Sequence, residues 1–249
     1  MAGNMRKQSH VACELAFFAP LPQKRANLIP DETMVDSATL RRMMVDGQVR
    51  TADVTDRQLI QAMLDVPREH FVPAAQAGLA YLDIDLPVGN GSRRLLKPMV
   101  LAKMLQALDL STGQRVLDVG CTTGYAAAVL APLCDSVVAL EEQPGLAAQA
   151  RANLSGLGNV EVVEGKLVGG HAAQAPYDAI LVEGAVGVEP DSLCSQLADG
   201  GRLVCIRGTG PAAKVNLYLR DGSDITRQTI FDAAGPTLPG FVKPAAFAF

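Results

Sequence analysis

The sequence predicts an α/β fold, a mostly parallel, Rossmann-like sheet with helices on both faces and an antiparallel C-terminal addition. Three observations predict it. From Arg115 onward, short apolar strands alternate with helical segments. At the head of that run, residues 116–125 read strand, glycine loop, helix. Hydrophobic residues make up 49% of the 249 positions, enough for a sizeable core.

The elements follow in order. Residues 1–33 read as a disordered extension: Arg6 and Lys7 precede a mildly apolar stretch, but Glu14 interrupts it and no small-residue cleavage pattern follows. Met34 is a natural start for the folded part. Residues 34–97 form a helical and loop segment. Ser37 is expected to cap a helix reaching Val49, and Thr55 to cap a second, with Gln58 completing a capping box. Leu59, Met63 and Val66 recur at helical spacing until Pro67 closes the segment. Pro73, Pro87, Gly89 and Gly91 mark residues 72–97 as loop with one short strand. The domain proper spans 98–249. Pro98 opens a helix whose stripe of Leu101, Met104, Leu105 and Leu108 is core. Strands are expected at 115–119, 137–140, 160–163, 179–182 and 202–206, and helices at 125–133, 144–154 and 191–197. Strands at 215–219 and 229–231, joined through Asp221-Gly222, make the antiparallel addition.

Composition excludes several function classes. A net charge of -4 argues against a polyanion-binding chain, so no nucleic-acid partner is expected. The basic groups Arg41-Arg42 and Arg93-Arg94 with Lys97 read as solvated surface pairs. Five cysteines without a C-x-x-C pair, and three histidines, point to reduced thiols in a cytoplasmic protein rather than to a metal or a disulfide framework. No apolar run has the length of a membrane span.

The chemistry concentrates in the glycine loop. Gly120 and Gly124 permit a tight turn and close backbone approach to a ligand, with Cys121, Thr122 and Tyr125 completing the loop. The G-x-x-x-G spacing fits a nicotinamide dinucleotide poorly, and no Lys-Ser/Thr ends it as in a phosphate-binding loop. Asp118 lies just before the loop, where a carboxylate can meet a cationic amine. Glu141, 21 residues after Gly120 and followed by Glu142, falls where an acid accepts both hydroxyls of a ribose. S-adenosylmethionine carries a ribose, an amine and a sulfonium but no phosphate, and an acid-lined glycine loop suits it.

Further pieces resemble a known family over residues 34–235. They are Gln48-Val-Arg50, Val66-Pro-Arg68 with Phe71-Val-Pro73, Lys97-Pro98-Met99, the glycine loop, Val138-Ala-Leu-Glu141, Asn159-Val160, Tyr177-Asp-Ala-Ile180 and Asp199-Gly-Gly-Arg-Leu203. In combination they resemble the protein-L-isoaspartate O-methyltransferases. The resemblance implies a methyltransferase fold, S-adenosylmethionine as cofactor, and isoaspartyl proteins or peptides as substrates, esterified on the free α-carboxylate as the first step of protein repair. Such a carboxylate is ionised at neutral pH and needs no general base.

The chain departs from the family at three places. Where the family carries Thr-Ile-Ser-Gln-Pro, this chain has Arg94-Leu-Leu-Lys-Pro98, with Leu96 in place of the substrate-holding serine. A lost hydrogen bond to a charged group costs roughly 1.5–3 kcal/mol, and Arg94 or Lys97 is placed to compensate by pairing with the acceptor carboxylate. Where a Gly-Asp pair receives the adenine amino group, this chain has Gly165-Lys166, leaving the backbone of Lys166 and Leu167 to frame the base. Glu183 follows the fourth strand, near the expected methyl centre, where the family has a small or hydroxyl residue. A carboxylate there would repel an anionic substrate; it either serves as base toward a hydroxyl or amine of a small-molecule acceptor, or turns outward or pairs with a nearby arginine. A protein that keeps the cofactor site without the chemistry is the remaining alternative.

Overall fold

The alternation of strands and helices closes into a seven-stranded sheet in the computed structural model, which describes residues 36–89 and 93–242. The extension over residues 1–33 lies outside the described residues. The described residues form one compact unit.

Helix α1 (Ser37–Met44) is capped by Asp36, whose carboxylate accepts from the Thr39 N–H at 2.6 Å, so the cap stands one residue before the expected Ser37. It continues as a π-helical turn (Val45–Val49) and a 3-10 turn (Arg50–Ala52) rather than as one α-helix. Helix α2 (Arg57–Asp65) is capped by Asp56, which accepts from Gln58 and Leu59 N–H. The expected cap, Thr55, instead donates its backbone N–H to the Gln106 side chain at 2.6 Å. A carboxylate is the stronger acceptor for the orphan N–H groups of a first turn, and in both helices it wins over the neighbouring hydroxyl residue. Residues 72–97 hold two short strands, not one: β1 (Leu86–Pro87) and β2 (Arg94–Leu95) form an antiparallel ribbon. Helix α3 (Pro98–Ala107) then buries Leu101, Met104 and Leu105, with Leu108 buried at its end.

The sheet proper comprises β3 (Arg115–Val119), β4 (Ser136–Glu141), β5 (Val160–Glu164), β6 (Tyr177–Val186), β7 (Leu197–Arg207), β8 (Lys214–Asp221) and β9 (Asp224–Asp232). Their spatial order is β5-β4-β3-β6-β7-β8-β9. The first five pair in parallel, and β8 and β9 add antiparallel. Helices α4 (Tyr125–Leu130, extended by a 3-10 turn to Leu133), α5 (Pro144–Leu154) and α6 (Asp191–Cys194) connect the strands. Helix α6 stops short of the expected Leu197 because that residue already pairs with Tyr177 at the start of β7.

Strand periodicity sorts the core into two layers. Val116, Val137, Ala139, Ala179 and Leu181 pack with the helices α1–α4. Leu117, Val119, Val138, Leu140, Ile180 and Val182 pack on the opposite face with Leu193, Leu238 and Phe241. The first layer ends, at the carboxyl ends of the strands, in acids.

Candidate cofactor site

The register of the parallel strands fixes where those acids stand. Asp118 continues the face of Val116, Glu141 that of Val137 and Ala139, and Glu183 that of Ala179 and Leu181. Val119 pairs with Leu140 on one side and Val182 on the other, so the next residue, Gly120, is flanked by Glu141 and Glu183. Asp118 lies one pleat below. All three carboxylates have zero exposure.

The turn after β3 is shaped by backbone geometry. Gly120 has φ +83° and a Cβ there would lie 2.8 Å from an Arg93 nitrogen, while Gly124 has φ +95°. Thr122 also adopts the left-handed region, φ 53°, an uncommon conformation for a β-branched residue. Its N–H thereby donates to Glu141 Oε2 at 3.0 Å. Cys121 is fully buried, and burial, with the surrounding acids, pushes its thiol well up. The Tyr125 ring is buried beneath the Arg68 guanidinium, 4.7 Å from its centroid, and edge-on to Phe71.

Glu141 is engaged on both oxygens. Oε1 accepts from the N–H groups of Glu142 at 2.9 Å and Gln143 at 3.0 Å and from Arg93 Nη1 at 3.0 Å. Oε2 accepts from Thr122 and lies 3.0 Å from Arg93 Nη2. Arg93 Nη2 also donates to the Gly120 carbonyl at 2.8 Å. Arg93 is 1% exposed. Its reading as part of a solvated basic pair is corrected here: the extended chain entering β2 alternates, turning Arg93 inward with Leu95 and leaving Arg94 outward. The signal lay in that two-residue period and in three acids on one sheet face that need a counter-charge.

Asp118 and Glu183 have no hydrogen-bond donor on any of their four oxygens, apart from each other. Two buried carboxylates in reach of one another cannot both be ionised cheaply, so the pair holds at least one proton. Burial pushes Asp118 up to about 7, and burial with the facing Asp118 pushes Glu183 well above the ordinary carboxylate range. Glu183 neither turns outward nor pairs with an arginine: it is fully buried, with Asp118 as its neighbour. With Arg93 opposite Glu141 and at least one proton on the Asp118–Glu183 pair, at most one negative charge is left in the cluster.

The other named residues surround this centre. Glu142 is half-buried, Gly165 half-buried, Lys166 exposed and Leu167 buried beyond the end of β5. Arg94 is exposed and reaches the Asp85 carbonyl, and the Lys97 N–H donates to the Asp85 carboxylate at 2.8 Å. Leu96 is fully buried in the first core layer, with its side chain away from solvent. The contributions of Arg93 and Leu238 were not legible from motifs, whereas Arg68 lies in the Val66-Pro-Arg68 piece, which gave no role for its side chain. Leu238 is fully buried and would lie 3.5 Å from a Cβ at Gly120 and 2.7 Å from one at Gly184. It is held there by hydrogen bonds of Ala185 N–H to the Pro236 carbonyl and of Leu238 N–H to the Ala185 carbonyl. A cleft of about 650 Å³ opens beside the glycine loop, between His70–Pro73 and the start of α5, with Thr123, Gln143 and Asn153 in its wall. Among the described residues no group of His, Cys, Asp and Glu is arranged to hold a metal, and no helix is long and apolar enough to cross a membrane.

A parallel sheet whose inner strand ends in a glycine turn, with acids on the flanking strand ends, defines the class: a Rossmann-like, S-adenosylmethionine-dependent methyltransferase. The family profile of protein-L-isoaspartate(D-aspartate) O-methyltransferase matches residues 41–230, and the chain belongs to that family. It is 41% identical over 192 residues to a protein-L-isoaspartate O-methyltransferase of Methanoregula boonei, covering 76% of this chain and 88% of that one. It is 44% identical over 183 residues to protein-L-isoaspartate O-methyltransferase 2 of Anaeromyxobacter sp., covering 73% and 74%. A solved protein-L-isoaspartate O-methyltransferase superposes with a TM-score of 0.70 at 26% identity, over 80% of this chain and 66% of that one. A putative one from Plasmodium falciparum, in complex with S-adenosyl-L-homocysteine, superposes at 0.68 and 18% identity over 80% and 97%, a likeness of fold.

The residues match the cofactor in chemical type. Asp118 and the Thr122 hydroxyl are buried without a donor or partner from elsewhere, and Gly120 is a cradle that a Cβ would fill. The space over that cradle is taken by the Arg93 guanidinium and Leu238.

Proposed function

We propose that this chain binds S-adenosylmethionine and methylates the free α-carboxylate of isoaspartyl residues in proteins and peptides, in the cytoplasm, as a repair enzyme. The observation that carries the reading is the set of acids around Gly120, in a chain of the isoaspartyl methyltransferase family. Glu141 would take the ribose hydroxyls, Asp118 the amine, and the 120–125 turn the body of the cofactor, with Glu142 and residues 165–167 along the base. The bound cofactor supplies an electrophilic methyl group on sulfur.

The protein's own part is placement. An ionised carboxylate is already nucleophilic, so its oxygen needs alignment and exclusion of water rather than a base. The proton held by the Asp118–Glu183 pair at least halves the charge that an incoming carboxylate would meet. Arg94, whose guanidinium reaches the Asp85 carbonyl, and Lys97, whose backbone N–H donates to the Asp85 carboxylate, would be the cations to steer that carboxylate. Leu96, buried and apolar, offers that carboxylate no hydrogen bond.

The test is transfer of labelled methyl from S-adenosylmethionine to an isoaspartyl peptide and to the same peptide with normal aspartate. Base-labile label on the isoaspartyl peptide alone is the expected result. No label on either, from protein that binds the cofactor, would refute the repair reading.

A second reading rests on Glu183, a buried carboxyl with only Asp118 in reach. In a methyltransferase for a small hydroxyl or amine compound it would accept the proton of the acceptor. Glu183→Gln then abolishes turnover, whereas under the repair reading it leaves turnover unchanged or raises it.

A further inference from the structure

Each hydroxyl of a bound ribose needs a free lone pair on Glu141, and the space over Gly120 must be open to receive the sugar. Neither condition holds. Arg93 places Nη1 and Nη2 on the two Glu141 oxygens, both at 3.0 Å, and its Nη2 lies on the Gly120 carbonyl at 2.8 Å. The guanidinium is wholly enclosed, and no hydrogen bond satisfies its Nε.

We propose that Arg93 is an internal occupant of the cofactor seat, a cation that competes with the nucleoside for Glu141 and must leave before the cofactor binds. The proposal rests on the S-adenosylmethionine reading and deepens it. Two features make the exchange feasible. When Arg93 departs, Glu141 keeps the N–H groups of Thr122, Glu142 and Gln143, so its charge is not orphaned. S-adenosylmethionine, with an amine and a sulfonium against one carboxylate, carries one net positive charge, so its binding replaces the guanidinium's charge beside Asp118 and Glu183; S-adenosylhomocysteine brings only the amine there. Apparent affinity is then the intrinsic affinity scaled by the fraction of molecules with Arg93 withdrawn. Leu238, packed against the same glycine, is the apolar half of the obstruction.

The experiment is calorimetric titration of S-adenosylhomocysteine into the full chain and into Arg93→Gln, which keeps the length of the stem and loses the charged fork. The proposal expects the variant to bind at least about tenfold more tightly. Should Arg93→Gln fail to fold, Arg93→Lys carries the test. It keeps the charge but cannot bridge both oxygens, and an affinity gain of at least about threefold is expected. Equal or weaker binding by the folded variant, with clear binding by the unaltered chain, overturns the proposal and leaves the cofactor reading standing. No binding by either protein overturns both. Repeating the peptide labelling with the tighter-binding variant separates a failed seat from a failed acceptor assignment.

Discussion

At the scale of single residues, the raised carboxyls of Asp118 and Glu183 have a measurable consequence. Asp118 ordinarily titrates near 3.8 and is raised to about 7 by burial. A raised carboxyl holds its proton more tightly in the folded chain than in the unfolded one. Its stabilising effect is complete below pH 4 and is lost as pH rises through about 7. Glu183→Gln supplies a neutral amide that can donate to Asp118 and removes the need for that proton. The melting temperature of the variant relative to the unaltered chain should therefore increase from pH 5 to pH 8. Each kcal/mol recovered should appear as about 2–4 °C. Calorimetric melts at the two pH values check this, and parallel curves would contradict it. The acids themselves were legible, since strand-end position and spacing single out Asp118, Glu141 and Glu183. Arg93 was not, because side by side with Arg94 it reads as a surface pair until the extended chain entering β2 assigns the two to opposite faces.

At the scale of elements, the parallel sheet was legible because its strands are short, apolar and separated by helices. Boundaries were less so. β6 runs from Tyr177 to Val186, beyond the apolar core of its sequence, because Glu183 and Gly184 belong to a strand while looking like loop residues. β9 hides for a different reason: its residues are almost all exposed, so no buried face imprints a pattern. The caps of α1 and α2 were misplaced by one residue each, in favour of hydroxyl residues over the carboxylates that cap them, whereas the starts of α3 to α6 fall where expected. This makes a direct prediction for α2. Asp56→Ala should lower stability by about 1 kcal/mol in denaturant unfolding, while Thr55→Ala, whose contribution is a backbone N–H, should change it by less than half as much. Equal losses would restore Thr55 as the cap.

At the scale of the whole molecule, the two core layers meet in one residue from the C-terminal region. Leu238 is fully buried in the second layer, and it also lies against Gly120 and Gly184 at the strand ends. Leu238→Ala is expected to cost about 2–5 kcal/mol, the range for truncating a buried leucine, read as a lower denaturation midpoint. A loss below about 0.5 kcal/mol would mean that the segment does not stay packed in solution. Nothing in the sequence marked this segment, since proline and glycine around Leu238 suggest only an irregular tail.

The covering of β6 by residues so much later in the chain also bears on synthesis. During translation the strand must wait, with Ala185 and Gly187 lacking the carbonyls of Pro236 and Phe241, until β7, β8 and β9 have been made. A growing chain therefore carries the parallel strands and their buried acids with the strand ends uncapped, and non-local closures of this kind form slowly. Ribosome-held intermediates that end after β9 should expose apolar surface at this edge, and would be the natural clients of a chaperone.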